Sequence, residues 1–208
     1  MTTNVANVAR PKTNPKGPLQ FEKIPVFARK LGFASATIGD RSTTDSFEQF
    51  ALTKPLILKT LVWPDEAATA AFATQLAAAL TRVHLDACIA LHGDLGAGKT
   101  TFVRHLLRAL GVEGRIKSPT YAVVEPYTVA AGEVWHFDFY RFSDPREWED
   151  AGFRDIFVST GLKLCEWPQN AAGVMPTPDL ELDIQVDDAE RRQVRISALT
   201  PRGQALLA

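Results

Sequence analysis

Cysteine is scarce in this chain: Cys88 and Cys165 are the only two in 208 residues. Both sit inside apolar runs, so a disulfide framework is excluded and the pair reads as small core residues in a reducing compartment. Long hydrophobic runs are also missing. No window approaches the roughly 18 uninterrupted apolar residues that a membrane span needs, and the N-terminus has no apolar core of a secretory signal. The chain is therefore expected in the cytoplasm. Neither charge sign dominates, with a formal net charge of −1, but the two ends differ. Residues 1–59 hold nine Lys or Arg against four Asp or Glu, and the remainder holds fourteen against twenty. An acidic body argues against a broad basic face that grips nucleic acid by counterion release. No internal repeat is present.

What is present begins unevenly. Residues 1–20, MTTNVANVARPKTNPKGPLQ, combine three prolines, three asparagines and three basic residues with no acid, too little apolar surface to fold alone. The segment up to residue 55 has scattered aromatics without a period, and residues 1–55 are expected to form a disordered or mobile extension. Residues 56–208 are expected to form one folded domain. In it, LILKTLVW predicts a strand closed by Pro64. Asp65 then caps an alanine-rich helix, DEAATAAFATQLAAALTRV. DACIALH predicts a buried strand. KTTFVRHLLRALG places Phe102, Val103, Leu106, Leu107 and Leu110 on one helical face, closed by Gly111.

Further on, YAVVEPYTV and GEVWHFDFYRF read as an antiparallel pair around AAG. DPREWEDAGFRDIF reads as a helix with Asp144 as cap and Pro145 at its first position, GLKLCEWP as a buried strand stopped by Pro168, and DLELDIQVDD with RRQVRISAL as a terminal hairpin. Strands alternating with helices, followed by hairpins, predict an α/β fold with a mixed, partly antiparallel sheet.

Between the second strand and its helix lies GDLGAGKT, Gly93 to Thr100. It satisfies G-x-x-x-x-G-K-T/S in the strand-to-helix context that this phosphate loop requires. Gly93, Gly96 and Gly98 permit a backbone whose N–H groups converge on phosphate oxygens, and the helix N-terminus adds its dipole. Lys99 would reach the β- and γ-phosphates, Thr100 would ligate Mg2+, and Thr101 would back the α-phosphate. The ligand class is a nucleoside triphosphate with Mg2+.

A second carboxylate must support the metal. Glu166, at the end of the apolar strand LKLCE, fits best; the alternative is an exposed strand-end glutamate without a ligand. Asp138 alternates with Trp135, Phe137 and Phe139 and could orient or activate a water, or form an ion pair with Arg141. Ser118 and Thr120, in KSPTY, could touch phosphate or metal, or belong to a plain proline turn.

GDLGAGKTTF, KSPTY with VVEPY, HFDFYR with DPREWEDAGFRDIF, and CEWP, in this order, resemble the bacterial TsaE family over about residues 56–199. The resemblance implies a three-layer P-loop NTPase fold and an ATPase, with ATP and Mg2+ as cofactors, that serves tRNA N6-threonylcarbamoyladenosine synthesis. In that family the ATPase resets a complex of the proteins TsaD and TsaB between turnovers, and tRNA is involved only indirectly. It also implies site roles. Gly96, Ala97, Gly98, Lys99, Thr100 and Thr101 would hold phosphates, Thr100 and Glu166 would hold Mg2+, and Asp138 would serve hydrolysis. Asp65 would lie near base or ribose unless it is only a helix cap, and Arg191 is a weaker nucleotide candidate. Trp148 and Phe139 stand where the family usually has aliphatic residues.

Two rivals accompany this reading. One is a small P-loop kinase, against which no arginine-rich lid follows the loop helix. The other is a binding module that ATP gates without hydrolysis. A guanine-reading N-K-x-D motif is missing, which disfavours a GTPase.

Overall fold

A computed structural model describes residues 57–144 and 146–208. The expected N-terminal extension, the start of the first strand at Leu56 and the helix-opening role of Pro145 lie outside the described residues. The order is β1 (Ile57–Trp63), α1 (Glu66–Arg82), β2 (Ala87–His92), α2 (Lys99–Ala109), β3 (Val124–Val129) and β4 (Gly132–Asp138). It continues with α3 (Arg146–Asp150), α4 (Phe153–Val158), β5 (Leu162–Glu166), β6 (Leu180–Val186), β7 (Arg192–Ala198) and α5 (Pro201–Leu206).

The seven strands form one sheet in the order β1-β7-β6-β2-β5-β4-β3. The central four, β6, β2, β5 and β4, run parallel, and antiparallel partners close both ends. The expected mixed sheet is therefore a parallel centre with antiparallel margins. Helices cover both faces. Ile89, Leu91, Leu162 and Leu164 turn toward α1 and α2, and Phe137 and Cys165 turn to the opposite face, where they join Trp148 of α3 and Phe153 of α4. That alternation, with period two along each strand, makes a three-layer α/β domain.

Local chemistry explains the elements that hold the site. Asp65 lies in extended backbone and its Oδ1 accepts from the Ala68 N–H at 2.8 Å, capping α1 as expected. In α2, Phe102, Val103, Leu106 and Leu107 are fully buried, each contributing about 1.5–3 kcal/mol. Phe102 stacks on Trp63 at 5.8 Å. Leu110 is only partly buried, and Gly111 follows at φ +96°. Phe139 and Trp148 pack on each other, their ring centroids 5.9 Å apart.

Three expectations are corrected, and one helix is added. β3 starts at Val124 rather than Tyr121, because Val123 adopts φ +66° and its N–H bonds to the Pro119 carbonyl at 2.6 Å, closing a turn. β4 ends at Asp138, whose Oδ1 accepts from the Tyr140 N–H at 2.9 Å and bends the chain out of the sheet. The single helix expected over DPREWEDAGFRDIF is two, α3 and α4, interrupted where Gly152 takes φ +68°. Asp144 nevertheless behaves like a cap, its Oδ1 accepting from the Arg146 N–H at 2.9 Å. Helix α5 was not anticipated, although Thr200 followed by Pro201 is a helix-start signature; the Thr200 hydroxyl accepts from the Gly203 N–H at 3.1 Å.

Candidate nucleotide site

The site forms where the parallel strands β2, β4 and β5 end. β2 runs into Gly93, which has φ +132°, and a Cβ there would lie 2.2 Å from the Ile184 carbonyl oxygen of β6. Only glycine passes this point. Gly98, at φ +110°, caps α2 without a side chain, leaving the first N–H groups of an 11-residue helix facing outward, an arrangement suited to an anion. A cleft of about 510 Å³ opens beside the loop, between Asp94, Leu95, Trp167 and the end of β6.

Lys99 is nearly buried. Its Nζ donates to the carbonyls of Gly93 at 2.6 Å and Asp94 at 2.8 Å, and lies 3.9 Å from the Trp167 ring centroid. Burial pulls its pKa below 10.5, while the carboxylates of Glu166, Asp138 and Asp94 pull the other way. Trp167 itself sits at φ +57°, a strained conformation for a bulky residue, and the turn it makes places the indole against the loop.

Parallel register sets Asp138 beside Glu166 on adjacent strands. Both carboxylates are buried. Thr100 Oγ1 donates to Glu166 Oε2 at 2.9 Å, and Asp138 Oδ2 accepts from Thr120 Oγ1 at 2.7 Å and from the Ser118 hydroxyl. Asp138 makes no ion pair with Arg141, whose guanidinium stacks on the Tyr121 ring at 4.3 Å. Glu166 is not an exposed strand end. Thr100, Glu166, Asp138, Ser118 and Thr120 thus share one cluster, next to Lys99.

This donor set fits Mg2+. Thr100 and Glu166 offer two oxygens close together, and Mg2+ binds through one or two protein oxygens with the rest of its octahedron from phosphate and water. Charge argues the same way: a triphosphate held on the loop faces two buried carboxylates, and a dication between them offsets that repulsion.

Asp65 and Arg191 each have a partner of their own. Asp65 serves α1, and the neighbouring Glu66 Oε1 meets His105 Nε2 at 2.8 Å. Arg191 is held by Asp187, its Nε 2.9 Å from Oδ2, and that bond chiefly holds the Asp187 carboxyl down to about 2. The next residue, Arg192, is the one directed at the loop, its Nε 3.4 Å from the Ala97 carbonyl oxygen. Thr101 lies in the first turn of α2, half-buried. Sequence reasoning also missed His136, fully buried in β4, whose Nε2 is 2.8 Å from Glu166 Oε1. Its period-two spacing from Asp138 was the available signal.

The family model described as threonylcarbamoyl adenosine biosynthesis protein TsaE matches residues 63–194. The chain belongs to the TsaE family. The TsaE match spans every candidate residue from Asp65 to Arg191. The tRNA threonylcarbamoyladenosine biosynthesis protein TsaE of Haemophilus influenzae is 38% identical over 147 residues, which is 70% of this chain and 92% of that protein. TsaE of Aquifex aeolicus is 33% identical over 142 residues, covering 67% of this chain and 96% of the relative. Among solved structures, Bacillus subtilis YdiB superposes with a TM-score of 0.56 at 25% identity, covering 73% of this chain and 93% of YdiB. No helix among the described residues is long and apolar enough to cross a membrane.

Proposed function

We propose that this chain is a Mg2+-dependent ATPase that serves tRNA N6-threonylcarbamoyladenosine synthesis. The observation that carries the proposal is the 2.9 Å meeting of Thr100 Oγ1 and Glu166 Oε2 on the residue that follows Lys99. Two hard oxygen donors beside a phosphate loop are what a Mg2+-bound triphosphate needs. When bound, Mg2+ withdraws charge from the phosphate oxygens.

The chain's own groups supply the rest. Backbone N–H groups of Gly96 to Thr101 and the α2 dipole hold phosphate. Lys99 exchanges the Gly93 and Asp94 carbonyls for phosphate oxygens, which restores a full charge partner to a desolvated ammonium. Asp138 orients the attacking water or takes its proton, with Ser118 and Thr120 fixing Oδ2.

The relatives are named as tRNA threonylcarbamoyladenosine biosynthesis proteins, which supports a place in that synthesis; the resemblance to the family further implies that hydrolysis resets a TsaB–TsaD complex between turnovers. Reconstituted synthesis tests it. With TsaB and TsaD in limiting amount, this chain with ATP and Mg2+ should turn a single round of modified tRNA into many, and Lys99→Ala should not. Equal product with and without the chain would end the proposal.

One observation favours a second reading, a binding module gated by ATP without hydrolysis. Asp138 Oδ2 is occupied by two hydroxyls and Oδ1 by the Tyr140 N–H, which leaves little carboxylate for a water. Nucleotide-dependent partner affinity without turnover would select it.

A further inference from the structure

The Glu166 carboxylate is gripped at both oxygens, and only one grip belongs to the phosphate loop. Oε2 accepts from Thr100, and Oε1 lies 2.8 Å from His136 Nε2. His136 is fully buried in β4, one strand from Glu166 and opposite Leu164 in the register. Its Nδ1 is also buried and has no hydrogen-bond partner among the described residues. That orphan decides the tautomer. A proton on Nδ1 alone would leave a buried donor unsatisfied and set the Nε2 lone pair against a carboxylate lone pair at 2.8 Å. A proton on Nε2 makes a charge-assisted bond instead. His136 therefore donates to Oε1.

A buried imidazole with an unmet nitrogen carries a desolvation cost, and an apolar residue would pack between the strands without it. What the imidazole adds is geometric. A glutamate has three side-chain torsions, and a strand-end carboxylate held at one oxygen alone can swing. Held at Oε1, it keeps Oε2 turned to the Thr100 hydroxyl.

We infer that His136 is a positioning residue, which fixes the Glu166 carboxylate so that Oε2 and Thr100 Oγ1 are preset for the cation. The inference rests on the reading of Thr100 and Glu166 as the Mg2+ pair. His136 touches neither nucleotide nor metal in this role, and its loss acts through Glu166.

The test is a Mg2+ titration of binding, read with a fluorescent, non-hydrolysable ATP analogue on the full chain, with a parallel measurement in EDTA. His136→Gln carries an amide nitrogen near the Nε2 position, and His136→Asn carries one near Nδ1, short of Glu166. His136→Leu removes the donor altogether. Partners that orient metal ligands are worth 10–100-fold in metal affinity. The Mg2+ half-saturation should therefore rise by about 10–100-fold in the Asn and Leu variants and stay near the parent value in Gln. Analogue affinity in EDTA should be unchanged in all three.

If Leu does not fold, the Gln and Asn pair carries the comparison. Parent-like Mg2+ dependence in Asn, or equal loss in Gln and Asn, overturns the inference. Glu166→Ala separates the failures. If it raises the Mg2+ requirement and His136→Asn does not, only the role of His136 is lost; if Glu166→Ala changes nothing, the metal reading falls and takes the inference with it.

Discussion

Gly93 and Gly96 both belong to the phosphate loop but are unequal in the fold, and Gly93→Ala against Gly96→Ala turns that difference into a number. At Gly93, φ is +132° and an added Cβ would stand 2.2 Å from the Ile184 carbonyl oxygen, where ordinary contact begins at 3.4 Å. That oxygen belongs to β6, which pairs with β2 up to His92 and Asp183. Relief requires the loop or the strand to move by about 1 Å, since the obstacle is backbone and cannot rotate away. Strain for a side chain at positive φ costs on the order of 1–3 kcal/mol, and overpacking adds about 1–3 more. A loss of about 2–6 kcal/mol follows, a large part of the 5–15 typical of a domain. Gly96, at φ +84°, has nothing among the described residues within 4 Å of the added carbon, so only about 1–2 kcal/mol of strain remains. Urea unfolding with a nucleotide-binding assay on each variant reads both. Gly93→Ala should shift the midpoint severely and lose binding with the fold. Gly96→Ala should keep the fold with a small shift. Equal, mild shifts in the two would refute the close approach of loop and strand.

Other predictions follow from the same geometry. Lys99→Met should abolish triphosphate binding and remove a pH-dependent component of stability. Because burial lowers the Lys99 pKa below 10.5, the unfolded chain holds more protons between the two values, so stability of the ligand-free parent should rise with pH across that window relative to Lys99→Met. Denaturant unfolding of the pair from about pH 8 to about pH 11 tests the sign; a parent that loses stability there contradicts it. Asp65→Ala should cost about 1 kcal/mol as a lost cap with nucleotide affinity unchanged, whereas a binding defect would assign Asp65 to the ligand. Arg192→Ala should weaken nucleotide binding several-fold and Arg191→Ala should not, measured with the same fluorescent analogue; the reverse order would place Arg191 at the ligand.

How much of this was legible in the sequence depended on range. The loop could be read because glycines, lysine and threonine act within eight consecutive residues, and the strand and helix around it each carry a local period. Glu166 and Asp138 were readable as acids at strand ends, but their adjacency is a product of parallel register between β4 and β5, which no local pattern encodes. His136 escaped because its period-two spacing from Asp138 marks only a shared face of the strand, and its meeting with Glu166 depends on the neighbour across the sheet. Arg191 and Arg192 differ by one position, and in a hairpin one position decides which way a side chain points. Gly152 was overlooked as a break because an isolated glycine inside a helical pattern is often tolerated. The pairing of β1 with β7 joins residues more than a hundred positions apart, beyond any periodicity.

The most direct test of the central claim is Mg2+-dependent ATP hydrolysis by the purified chain, alone and with TsaB and TsaD, with Lys99→Ala as the blank. Phosphate release should require Mg2+ and Lys99 and should rise when both proteins are present. ATP bound by the parent without Lys99-dependent release in any mixture would contradict it.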